Sequence, residues 1–146
     1  MSKALTEGIV EVSETGKGTF QESVRMGAHT LIADEPVSVG GLDSGPGPYD
    51  LLLASLGSCT AMTIRLYAAR KQMKLARVSV SLAHSRVHGE DAGHDPTLEL
   101  ERITRDIRLE GDLNDAERAR LMEIADRCPV HRTLTGKLEI VTKELR

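Results

Sequence analysis

The segment from Tyr49 to about Lys71, YDLLLASLGSCTAMTIRLYAARK, constrains this chain most, because apolar side chains would fall on nearly every side of a helix built from it. Leu52, Ser55, Leu56, Cys59, Met62, Thr63 and Leu66 recur at spacings of three and four, which predicts one inward-facing stripe that carries Cys59 with it. Leu51, Leu53, Ala54, Ala61, Ile64 and Ala68 widen the apolar surface beyond a surface helix's share. Such a helix needs sheet, or a partner subunit, around it. The Gly- and Pro-rich stretch from Asp34 to Pro48 reads as the loop feeding it, with Pro48 suited to the first turn.

The flanking segments supply the sheet. Glu7 to Val12, Thr19 to Arg25 and His29 to Ala33 are short β-prone runs separated by Gly16-Lys17-Gly18 and Met26-Gly27, the pattern of a meander with tight hairpins. Val78, Val80 and Leu82 alternate with polar or small residues, and a second run, Thr97 to Leu109, follows the loop GEDAGHDP and should pair with the first. Leu98 and Leu100 lie on one parity and Ile103, Ile107 and Leu109 on the other, so a bulge near Glu101 or Arg102 is expected. Asn114 and Glu117 form a variant capping box opening a helix to about Arg127, ended by Pro129, and Leu138 to Lys143 read as a last strand. The fold class is α+β, in the order β-β-β-α-β-β-α-β.

A chain of 146 residues with 40% hydrophobic and 28% charged content is expected to form one domain, 1–146. A net charge of -3 with no Lys/Arg run gives no electrostatic footprint for nucleic acid or anionic lipid, and one Phe, two Tyr and no Trp leave almost no base-stacking platform. No stretch comes near the apolar length of a membrane span and the N-terminus lacks signal-peptide features, so a cytoplasmic protein is expected.

Two cysteines do not make a disulfide scaffold, and in a reducing compartment they point to catalysis, sensing or plain burial. Cys59 lies among Ser55, Gly57, Ser58 and Ala61, where burial as a small hydrophobe is one reading. If Gly57 breaks the helix and Ser58 recaps it, the thiol gains the partial positive charge of a new N-terminus; if the helix runs through, it does not. Cys128, in DRCPVHRTL, sits where its sulfur can cap the turn begun by Pro129, near the positive charges of Arg127, His131 and Arg132. A buried cap is the alternative there.

Together these residues carry a resemblance. A Gly/Pro loop, then Pro-x-Asp-Leu-Leu-Leu-x-x-Leu-Gly-x-Cys-Thr-Ala-Met-Thr opening a long helix, then Cys-Pro-Val-His-Arg-Thr-Leu near the end, resembles the OsmC/Ohr family, and Ala33-Asp34-Glu35-Pro36 resembles its OsmC-like branch. The resemblance implies a cofactor-independent thiol peroxidase acting on organic hydroperoxides. Cys59 would be oxidised to a sulfenic acid, Cys128 would condense with it to a disulfide, and a dithiol such as a lipoyl group would restore both. It also implies an intertwined homodimer with the long helix buried. Where well-characterised peroxidases of the family carry Glu ten residues before the first cysteine, this chain has Tyr49, followed by Asp50. The family's hairpin Arg has Lys17 and Arg25 as its nearest counterparts, and Tyr49, Asp50, Arg25 and Arg132 are the candidate substitutes. The alternative is a non-catalytic or ligand-binding domain of the same fold.

Other constellations are weaker. His84 and His88 would stand about 13 Å apart on one strand, too far to share a metal, and His94 does not repair this. A Cys128/His131 dyad lacks an orienting group, and a metal sensor using Cys59, Cys128 and His131 is a third class of reading. Gly40, Gly41, Gly45 and Gly47 follow no phosphate-loop pattern. Arg102, Arg105 and Arg108, interleaved with acidic residues, are expected on a solvated strand face.

Overall fold

The computed structural model describes residues 8–88, 97 and 99–146. The chain divides into two compact units, one ending at Leu52 and the other beginning at Leu53.

In the first unit, β1 (Val10–Glu14), β2 (Glu22–Met26) and β3 (His29–Ala33) form an antiparallel meander in that order. Met26 pairs with His29, so Gly27 and Ala28 make a two-residue turn, and Gly27 takes the positive φ of 60° that such a turn requires of its first residue. Arg25 pairs with Glu11 across β1 and β2. Asp34 is buried, and its carboxylate accepts hydrogen bonds from the amides of Glu35, Leu42 and Ser44 and from the Ser44 hydroxyl. The Ser44 hydroxyl does most to hold the Asp34 carboxyl below its ordinary value; burial pushes the other way, and the hydroxyl and the three amides together outweigh it. The start of the loop from Asp34 to Pro48 is therefore organised by one side chain.

The long helix, α1, spans Pro48–Arg70, with Pro48 as its first residue. It runs unbroken through Gly57, so Cys59 stands in mid-helix without the charge of a helix start. Gly57 is there for closeness: a Cβ at this position would lie 2.6 Å from Leu82 Cδ1. By length and composition α1 is long and apolar enough to cross a membrane, contrary to the expectation that no stretch would be. One stripe of it is buried, formed by Leu56, Gly57, Thr60, Ile64 and Ala68. This stripe is rotated from the expected one. Met62 and Leu66 face outward at 69% and 52% exposure, because the close-packing small residues Gly57, Thr60 and Ala68 turn their own side toward the sheet.

β4 (Lys74–His88) and β5 (Glu99–Asp112) form the expected antiparallel hairpin. Pairing is one-to-one from His88↔Glu99 to Arg77↔Glu110, so no bulge lies at Glu101 or Arg102; the irregularity falls between Leu75 and Arg77. The sheet needs none at the expected place, since Leu100 and Ile103 point to opposite faces. At the observed irregularity the Arg65 guanidinium holds the carbonyls of Leu75 (2.6 Å) and Ala76 (3.2 Å), which satisfies acceptors that the ladder leaves open. The loop GEDAGHDP and Leu98 lie outside the described residues.

Helix α2 (Asp115–Ala125) opens with the expected capping box: Asn114 accepts from Glu117 N–H at 2.8 Å, and Glu117 accepts from Asn114 N–H at 3.0 Å. It packs Leu121 and Ala125 against Ile64, Ala68, Leu75 and Leu109, the core of this unit. Helix α3 (Pro129–Thr135) follows. Among the described residues the last strand expected at Leu138 to Lys143 does not form, and Leu138, Ile140 and Val141 are exposed.

Candidate active site: two neighbouring thiols

Cys59 comes from the middle of α1 and Cys128 from the turn joining α2 to α3, and folding brings the two thiols near enough for each to shift the proton affinity of the other. Cys128 is fully buried at the N-cap of α3, where its sulfur accepts from the His131 amide at 3.4 Å. Cys59 is half-buried. It lines a shallow, mostly apolar depression of about 410 Å³ with Ser55, Met62, Thr63, Leu66 and Val130.

The two thiols differ electrostatically. Burial pushes Cys59 up, and its proton is further held by Cys128, through their hydrogen bond and the negative charge Cys128 carries when ionised; the Val130 amide and Thr63 side chain oppose this only in part. Burial pushes Cys128 up as well. There the hydrogen bond from Cys59, the amides of His131 and Val130 and the Thr60 side chain outweigh it, leaving Cys128 below the ordinary thiol value. The arrangement favours Cys128 over Cys59 as the thiol that gives up its proton first.

A second layer surrounds Cys128. Thr60, fully buried, accepts from Arg105 Nη1 at 2.9 Å. The same guanidinium donates to the Ala125 carbonyl (3.2 Å) and to Asp126 Oδ1 (2.8 Å), and His131 Nε2 lies 4.0 Å from that oxygen. Arg105 corrects the expectation of a wholly solvated Arg/Glu face: its side chain is 13% exposed. It shares the parity of Ile103, Ile107 and Leu109, and that was the signal in the sequence. Thr60 gave no signal beyond its place beside Cys59.

The candidate substitutes for the family's Glu and Arg are placed as follows. Arg25 is paired with Glu11, Asp50 Oδ2 accepts from the Gly47 amide at 2.9 Å, and Tyr49 is largely exposed. Arg132 is exposed, and its backbone amide bonds the Cys128 carbonyl. His84 bonds Glu101, which Arg86 also holds. Among the described residues no three His, Cys, Asp or Glu side chains gather as a metal site, so Cys59, Cys128 and His131 do not form one.

The family model for OsmC-like proteins matches residues 41–143, which takes in α1 and both cysteines. The chain belongs to the OsmC-like family. An uncharacterized Haloferax volcanii protein is 32% identical over 99 residues, covering 66% of this chain and 69% of that one. Among solved OsmC-like folds, the Legionella pneumophila organic hydroperoxide resistance protein OsmC is similar at 21% identity and TM-score 0.63, over 88% of each chain. A Psychrobacter arcticus osmotic stress induced and detoxification response protein is similar at 21% identity and TM-score 0.66, over 84% of this chain and 85% of that one. OsmC-like folds of this kind agree with the α+β architecture described above.

Proposed function

We propose that this OsmC-like protein is a cytoplasmic thiol peroxidase that reduces organic hydroperoxides through Cys59 and Cys128. The observation that carries the reading is that two free thiols lie near enough to perturb one another, one of them lining an apolar depression. The Cys128 thiolate takes the proton from Cys59, and the resulting Cys59 thiolate attacks the terminal peroxide oxygen. The O–O bond breaks, the alkoxide leaves with the proton held by Cys128, and Cys59 becomes a sulfenic acid. Cys128, again a thiolate, attacks that sulfur and expels hydroxide, which picks up a proton. The sum is two thiols and ROOH giving a disulfide, ROH and water, and a dithiol such as a lipoyl group reverses the oxidation.

One equivalent of cumene hydroperoxide added to reduced protein should consume two thiols per peroxide. Thiol loss should speed up as pH rises through the lowered Cys128 value, since the base forms there, and then level off. Intact thiols after the addition would overturn the proposal. The raised Cys59 thiol is the observation favouring the alternative, a non-catalytic domain, and that alternative predicts the intact thiols.

The protein is further proposed to act as a homodimer. A second copy would cover the outward Met62 and Leu66 of α1 and the exposed Leu138, Ile140 and Val141. Sedimentation should give twice the chain mass at micromolar concentration, and a monomer there would contradict it.

A further inference from the structure

Arg105 reaches the site from β5 with its side chain only 13% exposed, and it joins the two elements that carry the cysteines. Its Nη1 donates to Thr60 Oγ1 in α1 at 2.9 Å and to the Ala125 carbonyl at the end of α2 at 3.2 Å, while Nη2 donates to Asp126 Oδ1 at 2.8 Å. Thr60 directly follows Cys59, and its side chain is itself held, because the hydroxyl donates to the Leu56 carbonyl at 2.7 Å. The Ala125 carbonyl also accepts from the Cys128 amide at 3.3 Å. One guanidinium therefore bonds the helix beside one sulfur and the turn beside the other, across 45 and 20 positions of sequence. The two ends meet at the depression beside Cys59, whose wall includes Pro129 and Val130, the two residues after Cys128.

We propose that Arg105 is a positioning residue that holds Cys59 and Cys128 at the separation a disulfide needs. A disulfide tolerates only about 4.4–6.8 Å between its Cα atoms, so a small loosening of α1 from the turn after α2 works directly against the bond. A guanidinium suits this task, because its planar fork makes several bonds in fixed directions and the one to Asp126 is charge-assisted. None of the three bonds uses a sulfur, so they persist when the two thiols become a disulfide. What they supply is proximity, which is read as the effective concentration of one thiol at the other. The inference rests on the proposed redox pair and adds the residue that sets its geometry.

The test is the equilibrium between the dithiol and disulfide forms in glutathione buffers of varied ratio, read by mapping unreduced peptides. Arg105→Met should lower the equilibrium constant for closing the disulfide about tenfold, which raises its potential by about 30 mV. Thr60→Val, nearly isosteric, cuts only the bond to α1 and should shift the potential the same way. Arg118→Met is the control for losing a structural arginine: Arg118 holds the carbonyls of Leu109 (2.8 Å) and Gly111 (3.4 Å), both in β5, so its loss should lower the urea midpoint and leave the potential at the wild-type value. An unmoved or lowered potential in folded Arg105→Met, or an equal rise in Arg118→Met, would overturn the positioning role. If Arg105→Met does not fold, Thr60→Val decides by the same criterion. Failure of the redox pair reads differently: no Cys59–Cys128 disulfide in the wild type at any glutathione ratio overturns pair and positioning together, whereas a disulfide that glutathione forms and a hydroperoxide does not sinks only the peroxidase.

Discussion

Exchanging Cys128 for serine is expected to lower steady-state hydroperoxide turnover at least about a hundredfold, the usual cost of losing a positioned general base. Two roles end together. Serine does not ionise near neutral pH, so Cys59 loses the group that accepts its proton, and no second sulfur remains to resolve the sulfenic acid. Cys59 would also lose the neighbouring negative charge that helps to raise it, so its thiol should move toward the ordinary value while burial still holds it high. After one oxidation the variant should carry a trappable sulfenic acid at Cys59, detectable by a dimedone adduct in the mass spectrum. Wild-type turnover in Cys128→Ser would contradict the assignment of both roles.

The largest structural effect is expected at Leu121. It is fully buried in α2 and packs with Ile64, Ala68, Leu75 and Leu109. Leu121→Ala should destabilise by about 2–5 kcal/mol, the lost transfer free energy plus the cavity left behind, and lower the urea midpoint with an unchanged slope. Met122, the next residue, is 44% exposed, and its truncation should cost under about 1 kcal/mol. Equal losses at the two positions would mean that α2 does not pack as described.

What could be read from the sequence was what depends on local pattern. The Asn114/Glu117 box, the start of α1 at Pro48 and the limits of β3 are set by residues a few positions apart, and the structure places them as expected. What depends on partners distant in the chain was displaced. The buried stripe of α1 is rotated because Gly57 lets β4 approach, a contact invisible in helical spacing alone. Leu138 to Lys143 has the composition of a strand but pairs with none of the described strands. In the site, Cys59 and Cys128 were recognisable from motifs, yet their meeting depends on the packing of α1 against α2 and α3. The charged neighbours of Arg105 suggest a solvated face, whereas its parity sets it among Ile103, Ile107 and Leu109. An arginine on the apolar side of a strand goes inward only if it finds acceptors, and here Thr60, Ala125 and Asp126 supply them.

The most direct measurement is peptide mapping of the protein without reduction, after one equivalent of organic hydroperoxide. The account predicts a single cross-linked species joining the peptide of Cys59 to that of Cys128 within one chain, reversed by a dithiol. Recovery of both peptides unlinked, or linked only between chains, would contradict it.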